Sequence, residues 1–205
     1  MSAMLALIRR LLLPLLIACG LSLGLVLALH RGESPAITLP GFDACALPCW
    51  AGMTPGETLY ADAPRLIGEH ISGATLNFER GFAQLNFIVQ APSTDPIFGS
   101  VYDDRGQVGG VRLDGVIPLW VLIEQAGRPR CVTSSRALTS NAQVVNVYWQ
   151  MGDIYLWSFT TFAATARFHP TSPVISLFIL HSEDPCTQPG AQAWRGFAPL
   201  WLYQR

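Results

Sequence analysis

An uninterrupted apolar run lies near the start of the chain and is unlike anything after it. Residues 11–29 include ten Leu among nineteen positions and no charged residue. A helix of this length spans about 28 Å, close to the roughly 30 Å hydrocarbon thickness of a bilayer. The run therefore predicts a transmembrane anchor in contact with membrane lipid. Because Arg9 and Arg10 precede it, the positive-inside rule predicts a single-pass protein at the cell membrane with an extracytoplasmic C-terminal domain.

Two alternatives remain open for the same segment. Leu16-Ile17-Ala18-Cys19 resembles a bacterial lipobox, which would make Cys19 a lipidated N-terminus. A cleaved signal peptide would have a shorter apolar core, of roughly 7–15 residues. All three interpretations deliver the rest of the chain to the same side of the membrane.

Beyond the apolar run, a helical pattern followed by period-two patterns occurs twice. Thr54-Pro55-Gly56-Glu57 predicts a helix start, with Thr54 and Glu57 as the two members of a capping box. Alternation of apolar and polar residues between 76 and 113 then predicts antiparallel strands. Residues 118–126 predict a second helix, and further strands are expected at about 131–134, 144–150, 154–162 and 174–181.

The expected fold class is therefore α+β, with an N-terminal transmembrane helix followed by two helix-plus-antiparallel-sheet repeats. The predicted boundaries are 1–30 for the cytoplasmic N-terminus and anchor, 31–44 for a tether, 45–115 for the first repeat, and 116–205 for the second repeat with an aromatic C-terminal tail.

Charge excludes one class of partner. From Arg31 onward the chain has eleven Arg, no Lys and fourteen acidic residues, a net charge of −3, and no basic run. Nucleic-acid binding therefore lacks its electrostatic basis.

The cysteines outside the apolar run are even in number. An exported domain with Cys45, Cys49, Cys131 and Cys186 is expected to form two disulfides, although four cysteines allow three pairings. We favour Cys45–Cys49 and Cys131–Cys186. The Cys131–Cys186 bond would close the longer loop and contribute roughly 4 kcal/mol to folding stability, and the Cys45–Cys49 bond about 2 kcal/mol.

Two stretches carry a family resemblance. The sequence from Cys45 to Thr58, C-x3-C-W-x-G-M-x-P-G-x-T, is similar to the opening of uncharacterised bacterial membrane-anchored proteins. Gly52 to Thr58 and Val101 to Val108 resemble the helix entry and the strand–turn–strand of small envelope lipoproteins of the SmpA/OmlA type. This resemblance implies an α+β envelope domain with an assembly or scaffolding role.

No catalytic constellation is evident, so we expect a non-enzymatic extracytoplasmic binding or scaffold protein without a cofactor, whose partner is another envelope protein. One alternative is a copper-handling or thiol-redox protein, because thiolates and imidazole suit copper and Cys45-x3-Cys49 resembles the pair of Sco-type copper chaperones. His70, His169 and His181 are its candidate third ligands. Another alternative is a small-ligand sensor with a pocket lined by Trp149, Tyr155 and Trp157.

Overall fold

A computed structural model describes residues 19–22, 39–71, 75–81, 84–90, 95–136, 142–163 and 167–203. Residues 38–205 form one compact unit. Within it, α1 spans Ala63–His70 and α2 spans Leu119–Ala126. Short 3-10 helices lie at Tyr60–Asp62, Pro185–Thr187 and Leu200–Tyr203.

Nine strands form the rest of the regular structure. They are β1 Thr75–Gly81, β2 Gln84–Gln90, β3 Ile97–Asp104, β4 Gln107–Pro118, β5 Cys131–Arg136, β6 Ala142–Met151, β7 Ile154–Ala163, β8 Pro173–His181 and β9 Gln192–Ala193. All are antiparallel to their neighbours, in the order β1-β2-β3-β4-β8-β7-β6-β5-β9.

The predicted fold class is wrong, because the strands form one continuous sheet and not two repeats with separate sheets. The join is the pairing of β4 with β8, in which Leu113 lies opposite Leu177 and Val111 opposite Ile179. A period-two pattern identifies a strand but not its partner. Here the free edges of β4 and β8 satisfy each other's backbone hydrogen bonds, which fuses the two groups of strands.

The predicted fold class also included an N-terminal transmembrane helix. Within the described parts of the chain, no helix has the length and apolar character needed to cross a bilayer. The predicted anchor at 11–29 lies outside the described residues, apart from the helical residues 19–22.

Both helices pack on the same face of the sheet and form the core with it. Ile67 of α1 and Leu122 of α2 are fully buried, and both belong to one apolar cluster with Phe87, Leu177 and Trp149. The indole Nε1 of Trp149 donates to the carbonyl of Gly127, at the end of α2 (2.8 Å). We call this the helix face of the sheet.

The first helix starts later than its sequence indicates. Residues 54–57 form a turn in which Glu57 and Thr58 donate their backbone N–H groups to the carbonyl of Thr54. Thr58 Oγ1 accepts from the N–H of Thr54 (2.9 Å). Thr54 and Glu57 therefore do not cap a helix, and α1 begins only at Ala63, with Pro64 in its first turn. Backbone bonds from Gly56 and to Thr58 tie this turn to Val108 of β4 instead.

Candidate functional site: the open face of the sheet

The face opposite the helices, here called the open face, presents side chains from seven strands in register. Its central row follows from the strand pairing and runs Asn86, Ser100, Arg112, Phe178, Trp157, Tyr148 and Cys131. The row on one side runs Ile88, Phe98, Asp114, Ser176, Phe159, Asn146 and Thr133. These positions alternate with core positions along each strand, so the face is a direct result of the sheet register, although Cys131, Tyr148 and Ser176 are themselves buried.

Aromatic side chains occupy the half of the open face built from β6, β7 and β8. Trp157 stacks on Tyr148 with a centroid distance of 5.9 Å and on Phe178 with a centroid distance of 4.5 Å. The guanidinium of Arg112 lies 5.3 Å from the centroid of Phe178 and covers its other side. Burial raises the pKa of Tyr148, which keeps its hydroxyl neutral in this row. Cross-strand aromatic pairs of this kind stabilise a sheet.

The orientation of these rings limits what they can bind. Interplanar angles of 20–22° within the row mean that the rings face one another along the sheet. Both faces of Trp157 are therefore covered by its neighbours, and the ring edges point outward. A sugar ring or a nucleobase needs an exposed ring face for stacking. The row does not offer that platform, but it offers an apolar surface suited to side chains of another protein.

Mostly polar side chains occupy the other half, built from β2, β3 and β4, in which Ile88 and Phe98 are the apolar members of the two rows. Asn86 Oδ1 accepts from Gln84 Nε2 (2.9 Å) and from the hydroxyl of Ser100 (2.7 Å). Arg112 Nε donates to the carboxylate of Asp114 (2.9 Å), and the hydroxyl of Ser176 donates to the same carboxylate. The open face therefore joins a hydrogen-bonding half to an apolar half, and its charges are already paired.

Two buried polar atoms in the aromatic half have no partner. Trp157 Nε1 lacks an acceptor, and Asn146 Oδ1 lacks a donor. Asn146 uses its amide nitrogen to donate to Thr133 Oγ1 (3.2 Å). A buried polar group without a hydrogen bond costs roughly 1–3 kcal/mol.

The disulfide Cys131–Cys186 holds a covering segment over one end of this face. Its bond ties β5 to the 3-10 helix at 185–187, where Asp184 accepts from the backbone N–H of Cys186 (2.9 Å). Asp184 also pairs with Arg130 (2.8 Å). Tyr155 lies buried beside them, and burial followed by the charge of Asp184 raises its pKa. The disulfide thus fixes Asp184 and its neighbours beside β5 and Tyr155.

The second disulfide, Cys45–Cys49, lies outside the open face and next to the core. Both predicted pairs are therefore present, and they close the loops that the sequence indicated.

His70 is exposed, and its ring packs so closely on Gly52 that an added Cβ there would lie 2.9 Å from His70 Nε2. Even so, the described residues contain no group of three or more His, Cys, Asp or Glu side chains able to hold a metal ion.

The other predicted site residues do not converge. His169 and His181 are both exposed; His181 is the last residue of β8, and His169 precedes that strand. Trp149 lies on the helix face, opposite Leu156, whereas Tyr155 and Trp157 lie on the open face. The three aromatics proposed for a sensor pocket therefore do not line one cavity. Sequence reasoning missed Phe178, Arg112 and Asn146, because strand pairing alone brings them together with Trp157.

No protein-family model matches the chain, and neither do any curated proteins or solved structures. The function must therefore be argued from the chemistry of the open face.

Proposed function

We propose that this chain is a non-enzymatic binding or scaffold protein of the cell envelope, held at the cell membrane with its sheet domain on the extracytoplasmic side. Its open face is the surface that binds another envelope protein. The observation that carries the proposal is the junction of an aromatic row with a hydrogen-bonding half on one sheet face. An edge-on aromatic surface bordered by polar groups is typical of protein interfaces, in which aromatic residues and Arg are enriched.

The two disulfides support the extracytoplasmic location. Disulfides persist in oxidising compartments and are rare where glutathione and thioredoxin keep thiols reduced. Cys45–Cys49 and Cys131–Cys186 each join residues of the compact unit. The role in envelope assembly implied by the SmpA/OmlA resemblance agrees with such a binding surface and remains a prediction.

The partner is to be captured by co-purification of the full-length protein from solubilised membranes. Phe159→Arg places a charge in the open face, opposite Asn146, and should abolish recovery of the partner. Glu124→Arg is the matched control, because Glu124 is exposed on α2, which packs on the other face of the sheet. This control should recover the partner at the wild-type level.

Folding of the Phe159→Arg protein is checked by near-ultraviolet circular dichroism, which reports the packing of the tryptophans. Equal recovery of the partner by the two folded variants would contradict the proposed surface.

One observation favours the copper or thiol-redox alternative, namely the position of His70 against Gly52 in the loop that follows Cys49. Reduced full-length protein that binds one Cu(I) through the Cys45 and Cys49 thiols, with loss of binding in His70→Ala, would replace the scaffold proposal by this alternative. Absence of Cu(I) binding by the reduced protein would remove the alternative.

A further inference from the structure

The two outer edges of the sheet differ in how they are protected. At one edge, the short strand β9 pairs with Cys131 and Val132 of β5. Further along β5, Ser134 Oγ donates to the backbone carbonyl of Tyr203 (2.9 Å). The C-terminal segment therefore covers β5 from Cys131 to Ser134. Covering an edge strand in this way prevents it from pairing with another chain.

The other edge of the sheet is β1, and it has none of these protections. Its seven residues, Thr75–Gly81, pair with β2 along their whole length and without a register shift. Among the described strands, β2 is its one neighbour. The segment contains no Pro and no Lys, which are common guards of an edge strand. A regular edge of this length is a template for a further strand.

The register of the β1–β2 hairpin determines which backbone groups of β1 are free. Gly81 and Gln84 are the last pair before a two-residue connection, so they exchange both of their backbone hydrogen bonds. Hydrogen-bonded pairs alternate along an antiparallel ladder, so residues 75, 77 and 79 also bond to β2. The N–H and C=O groups of Leu76, Phe78 and Arg80 therefore point away from the sheet, where another strand would meet them.

We infer that β1 pairs with β1 of a second copy of this chain, antiparallel and centred on Phe78, so that the two sheets join into one. In this register every residue of β1 has a partner. Phe78 lies opposite Phe78 of the second copy, and Leu76 lies opposite Arg80. These are the residues whose N–H and C=O groups point outward, so each copy supplies the hydrogen-bonding groups that the other needs.

Charge along β1 selects this register from its neighbours. The open faces of two copies stay continuous only when the register changes by steps that keep each residue on its own face. Centring the pair on Glu79 or on Arg80 would place like charges directly opposite each other, which is destabilising. Centring it on Asn77 would leave Arg80 and Gly81 unpaired. Centring it on Phe78 instead places Glu79 opposite Asn77 and pairs the whole strand.

The pairing goes beyond the proposed function and does not depend on it. Its two-fold axis is perpendicular to the sheet, so both open faces lie on the same side. The polar halves then meet at the centre, and the two aromatic rows lie at the outer parts of the joined sheet. The dimer would present two equivalent binding surfaces. Phe159→Arg on β7 should leave the dimer unchanged, so the two proposals can fail separately.

The first test measures the mass of the full-length protein in detergent, by light scattering corrected for bound detergent. We expect the wild-type protein to be a dimer. Arg80→Pro should have half that mass, because proline lacks the N–H that donates to the second copy, whereas the bonds of residues 75, 77, 79 and 81 to β2 remain. Arg80→Ala is the matched control. It removes the same side chain but keeps the N–H, and it should remain a dimer.

A monomeric wild-type protein, or an unchanged mass in Arg80→Pro, would overturn the inference. A monomeric Arg80→Ala protein would overturn it too, because the association would then depend on the side chain and not on the strand edge. Near-ultraviolet circular dichroism checks that the Arg80→Pro protein is folded.

Disulfide cross-linking tests the register without a proline. In full-length Cys19→Ser protein, a mixture of Leu76→Cys and Arg80→Cys variants should form a covalent dimer on mild oxidation, because these positions lie opposite each other. Neither variant should do so alone. The two copies of position 76 would be about 14 Å apart along the strands, beyond the roughly 7 Å that a disulfide can bridge. Equal cross-linking by the mixture and by either variant alone, or none in the mixture, would overturn the pairing.

Discussion

Gly99 on β3 is the residue at which the smallest change should have the largest effect. It lies opposite Phe87 of β2, and the ring of Phe87 covers its backbone. Phe87 in turn stacks on Trp50 with a centroid distance of 5.4 Å, and Trp50 Nε1 donates to the carbonyl of Pro40 (2.9 Å). A glycine beneath an aromatic ring is a recurrent way of packing a curved sheet. The loop that contains Cys45–Cys49 therefore holds Trp50 against Phe87, and Gly99 leaves the space that the Phe87 ring occupies.

Gly99→Ala should lower the free energy of unfolding by about 1–3 kcal/mol, because the new Cβ would lie 2.0 Å from Phe87 Cζ and the ring is held by Trp50. Gly115→Ala is the control, since its Cβ would meet Ile97 Cγ1 at an ordinary 3.5 Å. The control should change stability by no more than about 0.5 kcal/mol. Urea denaturation in detergent, followed by tryptophan fluorescence, measures both. Equal effects of the two substitutions would show that Phe87 moves aside freely.

Tyr203 is a second residue whose role comes from contacts far along the chain. Its hydroxyl donates to the carbonyl of Gly196 (2.8 Å) and accepts from the N–H of Arg195 (2.9 Å). Its ring packs against Phe168 and Trp194 on the helix face. Burial raises the pKa of Tyr203, so the neutral phenol is the form that the fold stabilises. Trp194 and Tyr203 of the aromatic tail are thus part of the core, whereas Phe197 is 44% exposed.

At the scale of elements, hairpin turns show local chemistry acting as the sequence indicates. Arg105 and Gly106 both have positive φ, and Asp103 Oδ1 accepts from the N–H of Gly106 (2.7 Å). These features fit a tight hairpin. The register shift between Tyr102 and Asp103 is a bulge at Gly109, because Tyr102 lies opposite Gly110 and Asp103 opposite Val108, and a Cβ at Gly109 would lie 2.8 Å from Asp104 Cβ.

The two disulfides should differ in their contribution to stability. Cys131 and Cys186 are 55 positions apart, whereas Cys45 and Cys49 are 4 apart. In the loop-entropy model, replacing both Cys131 and Cys186 by Ala costs about 4 kcal/mol of folding stability, and replacing both Cys45 and Cys49 costs about 2 kcal/mol. Chemical denaturation of the two double variants measures the difference. A larger loss for Cys45→Ala with Cys49→Ala would show that the short loop acts mainly through the placement of Trp50.

At the scale of the whole molecule, the continuous sheet implies one cooperative unit. Leu177 is fully buried at the join, between Leu113 of β4 and Ser158 of β7. The core cluster extends through both groups of strands, from Phe87 to Trp149. Loss of packing at the join between β4 and β8 should therefore destabilise both groups of strands.

Leu177→Ala should reduce the free energy of unfolding by about 2–5 kcal/mol, because it leaves a cavity at the join. Hydrogen exchange should then show β2 and β6 losing protection together. Ile175→Ala on the same strand is the control, because that side chain is 39% exposed and should contribute little. If β2 kept its protection while β6 lost it, the two groups of strands would unfold as separate units.

The sequence by itself determined the local features of this protein. It indicated nearly all the strands, the second helix and the strand–turn–strand at Val101–Val108, because alternation and turn residues act over short distances. The four cysteines predicted two disulfides but allowed three pairings, and the structure contains the favoured one, Cys45–Cys49 with Cys131–Cys186. The sequence did not indicate the start of α1, because backbone hydrogen bonds to Val108 hold residues 56–58 in a turn.

Only the tertiary structure decided which strands pair across the middle of the sheet. Backbone hydrogen-bonding groups are the same in every strand, so the partnership of β4 with β8 depends on long-range packing and leaves no local pattern in the sequence. That pairing places Arg112 against Phe178, which belongs to a distant part of the chain. The open face therefore exists because two groups of strands pair into a single sheet.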